Sequence, residues 1–193
     1  LGFVHTGRII DGEIEMRLVI EPPPPRPRPL GRGEIAIRRA TPDDFAEILT
    51  VVNDAAVAYK GVVREYKEPY MPAEELRQDI EQAGIEFFVA ELEGRAGLAG
   101  VMGIQSREVE DPASPDVTLI RHAYTRSELQ GRGVGTALLR ALRRQTTRPV
   151  LIGTWAAGDW AVRFYEKHGF SVIRDVEEKN RLLRTYWCDP PGP

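Results

Sequence analysis

Three alternating glycines in Gln130-Gly131-Arg132-Gly133-Val134-Gly135-Thr136 give this chain its clearest chemical capacity, that of holding an anion. Glycine lets the backbone turn tightly and approach a ligand, and the N–H groups and dipole of a following helix favour phosphate or pyrophosphate. Val134, Ala137, Leu138, Ala141 and Leu142 recur at helical spacing, so a helix does follow. The same glycines would serve a tight turn against a packed helix, and spacing must narrow the chemistry. A dinucleotide-binding G-x-G-x-x-G needs glycine at 136 or 138, where Thr136 and Leu138 stand. A P-loop needs a closing Gly-Lys-Ser/Thr, and no lysine lies between Lys67 and Lys167. Both nucleotide-binding classes are disfavoured.

The elements that must position this loop read clearly. Glu34 to Arg39 is a strand, and Thr41-Pro42-Asp43-Asp44 starts a helix with an N-cap, a first-turn proline and early acids. Phe45, Ile48, Leu49 and Val52 give that helix its buried face. A second helix runs from Pro72 to Gly84, and strands follow at Glu86–Leu92, Leu98–Gln105 and Val117–Thr125. Beyond the loop helix, Pro149–Thr154 is a strand, Asp159–Lys167 a helix and Phe170–Arg174 a strand. Ahead of all this, Phe3–Ile10 and Glu13–Ile20 flank an Asp11-Gly12 turn as a hairpin, and the proline run Pro22–Pro29 reads as a stiff spacer.

At 193 residues, one α/β domain with an added segment is the natural size, and 42% hydrophobic residues suffice for a core. A net charge of −3 disfavours a general nucleic-acid binder, although the arginines from Arg121 to Arg148 make one face locally basic. No apolar run reaches the roughly 18 residues of a membrane span. The single Cys188 excludes a disulfide framework within the chain and a multi-cysteine zinc site. A cytoplasmic protein without a metal is expected.

The glycine loop resembles the acyl-CoA loop of the GNAT superfamily of N-acetyltransferases, Gln/Arg-x-x-Gly-x-Gly/Ala after the family's fourth strand; Gln130, Gly133 and Gly135 match it. Ala161-Val162-Arg163-Phe164-Tyr165-Glu166-Lys167-His168-Gly169-Phe170 resembles a second block, at the right distance downstream. The resemblance covers residues 34 to 174. It implies an α/β (α+β) fold, a mixed, mainly antiparallel twisted sheet flanked by helices. It also implies transfer of an acetyl group from acetyl-CoA to an amine. The pyrophosphate would rest on backbone N–H groups of Gly131, Arg132, Gly133, Val134, Gly135 and Thr136. Pantetheine would run along Ala123, Tyr124 and Thr125. Tyr165 occupies the place of the family's general acid toward the thiolate. Where the family tends to carry an asparagine, this chain has Gly158 with Asp159 beside it; Asp159 and Phe164 complete the expected cofactor contacts.

The chain departs from the family pattern in two places. The strand-four stretch Thr118-Leu119-Ile120-Arg121-His122-Ala123 has no carboxylate where a glutamate often sits, leaving His122, Asp116, Glu108 or a water chain as the base. Glu177 to Trp187 reads as helical or irregular where a seventh strand is expected, while residues 1–20 resemble the family's C-terminal hairpin at the opposite end. The start at Leu1 is expected of a fragment. The domain scheme is therefore a hairpin over 1–21, left from an upstream GNAT repeat or filling a vacant sheet edge, a proline-rich linker over 22–33, a GNAT domain over 34–188 and a tail over 189–193. Pairing of the hairpin with a second copy would make a homodimer. Two further readings stand beside the enzyme: an acyl-CoA-binding module without catalysis, and a phosphate-binding regulatory module. The acceptor, read as a small-molecule primary amine, would meet the segment from Tyr59 to Gly84 and the loop from Ser106 to Pro115.

Overall fold

The computed structural model describes residues 14–19, 34–64, 66–110 and 114–187. The first strand of the expected hairpin, the proline run, Cys188 and the tail lie outside the described residues. In chain order the elements are β1 (Ile14–Val19), β2 (Ile35–Arg39), α1 (Phe45–Ala56), α2 (Ala73–Glu81), β3 (Glu86–Leu92), β4 (Leu98–Arg107), β5 (Val117–Thr125), α3 (Val134–Arg143), β6 (Val150–Trp155), α4 (Asp159–Lys167), β7 (Ser171–Val172) and α5 (Val176–Tyr186). The fold is of the mixed α+β class with mainly antiparallel pairing, as the sequence implies. The chain forms two compact units, and β5 contributes to both: residues 117–120 to one, residues 121–125 to the other.

In the unit built from residues 34–105 and 121–147, β2, β3 and β4 pair antiparallel in sequence, with a register shift between Ala90 and Glu91. The entry to α1 is fixed electrostatically. Arg38 donates to both oxygens of Asp44, at 2.7 and 2.8 Å, and to Glu91. Asp44 also accepts from the Thr41 N–H at 2.7 Å, so one carboxylate closes the turn before the helix. The Arg38 hydrogen bond holds the Asp44 carboxyl well below the usual range. Because the Arg38 side chain is 39% exposed, water screens the pair, whose net worth is about 1 kcal/mol or less. Ile48, Val51, Val52, Ala55 and Ala56 of α1 are buried, and so are Leu138, Leu139 and Leu142 of α3.

The unit built from residues 1–21, 106–120 and 148–193 has a different construction. Here β5 pairs parallel with β6, from Thr118 opposite Val150 to Ile120 opposite Ile152, and the ladder ends there. On the other edge of β6, β1 pairs antiparallel over all six residues, from Ile14 opposite Trp155 to Val19 opposite Val150. β1 then pairs with β7, Arg17 opposite Val172 and Leu18 opposite Ser171. The N-terminal strand therefore lies between two C-terminal ones instead of at a vacant outer edge.

The strand expected over 170–174 shrinks to Ser171–Val172, because Asp175 accepts the Glu178 N–H at 2.8 Å and caps α5. α5 occupies the sequence where a seventh strand is expected. It buries Leu182, Leu183 and Tyr186, and Trp187 follows directly. Trp187 ring atoms lie 3.3–3.4 Å from where a Cβ on Gly153 would sit, so glycine on β6 admits the indole. The Tyr186 hydroxyl donates to the Pro115 carbonyl at 2.6 Å. Tyr186→Phe keeps the ring and deletes the donor, and should lower unfolding stability by about 0.5–1.5 kcal/mol in denaturant titrations; an unchanged midpoint would show that this bond anchors nothing.

Candidate functional site

The glycine loop is held from behind by a small polar clamp. Glu47 on α1 accepts from the Leu98 N–H at 3.1 Å and from the Arg126 guanidinium at 2.9 Å, and Arg126 donates to the Leu98 carbonyl at 2.7 Å. One residue on, the Ser127 N–H donates to Asp54 at 2.7 Å and its hydroxyl to the Asp54 carbonyl at 3.1 Å. The chain leaving β5 is thus tied to the start of β4 and the end of α1 before the loop begins.

Gln130, Gly131, Arg132 and Gly133 are exposed. Gly131 and Gly133 have φ of +77° and +89°, and a Cβ at either would meet no atom closer than 4.0 Å. Left-handed conformation, rather than lack of room, requires glycine here. Gly133 caps α3, its carbonyl accepting from the Ala137 N–H at 2.9 Å. The first-turn N–H groups of an α-helix lack intrahelical acceptors, the donor set an anion needs, and in α3 that turn begins at Val134, Gly135 and Thr136.

Gly100 on β4 seats this helix. A Cβ there would lie 2.7 Å from Val134 Cγ1, 3.3 Å from Leu138 Cδ1 and 3.0 Å from the Tyr124 carbonyl oxygen. Sequence reasoning missed this residue; the available signal was an isolated glycine inside a strand pattern, which marks close approach of another element.

On β5, Ala123 and Thr125 are half-buried and Tyr124 is buried. The Tyr124 ring meets Tyr70 edge-on at 6.3 Å, and Tyr70 stacks between Tyr59 and Tyr66, both at 6.0 Å. Tyr124 therefore forms part of an aromatic wall with the segment that follows α1.

His122 is fully buried, with left-handed backbone (φ 48°). β5 is buried on both faces from Val117 to His122, so Arg121 and His122 are buried in succession. The Arg121 guanidinium donates to Gln105 at 2.8 Å. The His122 ring stacks on Phe87 at 5.5 Å, and Nε2 lies 2.8 Å from Asp79 Oδ2 on α2. This contact is short but bent away from hydrogen-bond alignment, which weakens it. Burial pushes the His122 pKa down to about 4, with Asp79 opposing and Arg121 assisting.

At neutral pH the His122 imidazole is uncharged. Because the folded value lies below the ordinary 6.5, the unfolded chain takes up the proton first as pH falls. The stability is full above about pH 6.5 and drains toward pH 4, by at most about 1.4 kcal/mol per pH unit. Thermal unfolding of the wild type should fall through this window relative to His122→Asn, asparagine being a residue that tolerates positive φ; parallel pH curves would refute a buried neutral histidine.

In the other unit, Tyr165 on α4 is 2% exposed, its ring 5.1 Å from Phe164 and 5.6 Å from Phe170. Phe164 is half-buried and Asp159 exposed in the first turn of α4. Glu108 and Asp116 are both drawn to Arg148, at 2.8 and 3.5 Å, so these two candidate bases share one guanidinium. A separate groove of about 580 Å³, bordered by Glu34, Arg38, Asp44, Glu47, Glu91 and Arg95 among others, shares no residue with the glycine loop. Among the described residues, no cluster of His, Cys, Asp and Glu could hold a metal ion, and no helix is long and apolar enough to cross a membrane.

A glycine turn opening a helix beside a mainly antiparallel sheet is the arrangement of an acetyltransferase class, and residues 48–170 match the acetyltransferase (GNAT) family. The chain belongs to that family. It is similar in fold to a protein from Novosphingobium aromaticivorans assigned to GNAT acetyltransferases, at 21% identity over 86% of this chain and 63% of that one, with a TM-score of 0.56. A functionally unknown conserved protein from Staphylococcus epidermidis gives 17% identity, 84% and 58% coverage and a TM-score of 0.56. An acetyltransferase from Trypanosoma brucei gives 17%, 74% and 96%, with a TM-score of 0.53. The chain spans less than two thirds of the length of the first two. No curated protein matches it.

Proposed function

We propose that this chain transfers the acetyl group of acetyl-CoA to a primary amine of a small molecule by direct attack, with Tyr165 as general acid. The observation that carries the reading is the left-handed backbone at Gly131 and Gly133, opening α3 within the family match. The pyrophosphate accepts from backbone N–H groups across Gly131, Arg132, Gly133, Val134, Gly135 and Thr136, with Gln130 beside them. The pantetheine arm pairs with backbone of Ala123, Tyr124 and Thr125, and Asp159 and Phe164 flank the cofactor from α4. A neutral amine attacks the thioester carbonyl carbon, the C–S bond breaks, and the leaving thiolate takes the phenolic proton of Tyr165. The amine proton passes to water.

A phenol of pKa about 10 stays protonated at neutral pH and can supply that proton as the thiolate forms. His122 is fully buried, and burial lowers its pKa to about 4, which makes it a weak proton acceptor, so we assign it to positioning the β5 backbone rather than to proton abstraction. A cytoplasmic enzyme, acting alone, as a homodimer or within a tandem repeat, is consistent with this role.

Two variants test it. Gly133→Val forces a β-branched residue into a left-handed cap and should weaken acetyl-CoA binding roughly tenfold by calorimetry while the chain stays folded. Unchanged affinity would remove the cradle. Tyr165→Phe should lower kcat about a hundredfold while leaving acetyl-CoA affinity within twofold. Full turnover, measured where chemistry limits the rate, would leave Tyr165 as a core aromatic. A second reading, an acyl-CoA-binding module without catalysis, draws on the burial of Tyr165; acetyl-CoA binding without thiol release across an amine panel would select it.

A further inference from the structure

β1 precedes the family match, which begins at residue 48, yet its backbone fills the interior of the sheet in its own unit. Its partner β7 is two residues long and pairs with Arg17 and Leu18. So short a strand has little cohesion of its own. β7 begins immediately after Phe170, whose ring packs 5.6 Å from Tyr165 and whose N–H donates to the Tyr165 carbonyl at 3.2 Å. Between them, the Gly169 N–H donates to the Glu166 carbonyl at 3.0 Å, closing the end of α4. A continuous path of backbone pairing and ring contact therefore runs from β1 through β7 and Phe170 to Tyr165.

We infer that residues 14–19 are a detachable strand that positions Tyr165: seated between β6 and β7 they fix the turn after α4 and with it the phenol, and when they leave, that turn loosens while the glycine loop is untouched. The inference rests on the assignment of Tyr165 as general acid for its effect on turnover; the docking and its effect on the turn do not. Attachment is by backbone hydrogen bonds on both edges, the chemistry of β-strand addition. Residues 20–34 separate β1 from β2, a length that lets the strand leave without breaking the chain. The strand would thus couple the N-terminal segment to the reaction as a positioning element, without touching substrate.

The test uses the full chain with Cys188→Ser. Leu18 and Ser171 are Cα partners in an antiparallel ladder, a separation that a disulfide can bridge, so Leu18→Cys with Ser171→Cys should cross-link within a monomer on oxidation. Met16→Pro removes a ladder donor and its ring obstructs pairing. It should raise amide exchange over residues 165–172 at least tenfold, leave residues 121–143 unchanged, and lower kcat at least tenfold with acetyl-CoA affinity within twofold. Oxidising the cysteine pair in the Met16→Pro background should restore slow exchange and kcat. The inference is overturned if no cross-link forms, if the cross-linked product is a covalent dimer, if Met16→Pro leaves exchange over 165–172 unchanged, or if exchange rises equally in both units. A wild type that fails to bind acetyl-CoA would refute the proposed reaction, while cross-linking and exchange still decide whether the strand docks and orders the turn.

Discussion

Two glycines with positive φ, Gly131 and Gly133, are the constraint on which the site depends. They shape the turn between β5 and α3, and Gly133 caps the helix. An L-residue in that conformation costs about 1–2 kcal/mol, enough to shift the loop toward other geometries. The supporting contacts only make sense around this turn. The Glu47–Arg126 clamp and the Ser127–Asp54 pair fix where the loop starts, and Gly100 lets α3 settle close enough to the sheet to be aimed. Removing any of these would leave the glycines present but misdirected.

Polar burial on β5 serves the same end by another route. β5 is buried on both faces from Val117 to His122, so Arg121 and His122 both lie in the interior. Burying two such groups is unfavourable unless they are met; Gln105 accepts from Arg121, and Asp79 lies 2.8 Å from His122 Nε2. The left-handed backbone at His122 lies directly before Ala123, Tyr124 and Thr125, the backbone proposed for the cofactor arm. Tyr124 adds side-chain anchoring through the Tyr59, Tyr66 and Tyr70 wall. A rigid backbone here would suit the proposed acyl transfer, in which holding reactants in place supplies part of the rate.

The unit that carries Tyr165 is assembled from chain segments far apart in sequence. β6 pairs parallel with β5 on one edge and antiparallel with β1 on the other, and α5 covers it through Trp187 against Gly153. Six β1 residues pair along its whole length, so the N-terminal segment belongs to the fold of the residues that follow Arg148 rather than standing apart from them.

Much of this was legible from residue order alone. The glycine spacing with apolar positions at helical intervals located α3 and the loop, and the helix over 159–167 was read to its ends, because both signals are local and depend on φ preferences and periodicity. The family resemblance rested on two such blocks. What sequence could not decide depends on contacts between distant residues. The place of β1 inside the sheet requires knowing which edges β6 leaves open. Gly100 matters because of Val134, thirty-four positions away. His122 is legible as a titratable group, but Phe87 and Asp79 close around it, and burial, against the pull of Asp79, keeps it uncharged. Glu108 and Asp116, read as candidate bases, share Arg148. Local propensity thus determined the elements, while tertiary packing decided which polar groups stay exposed and which face one another.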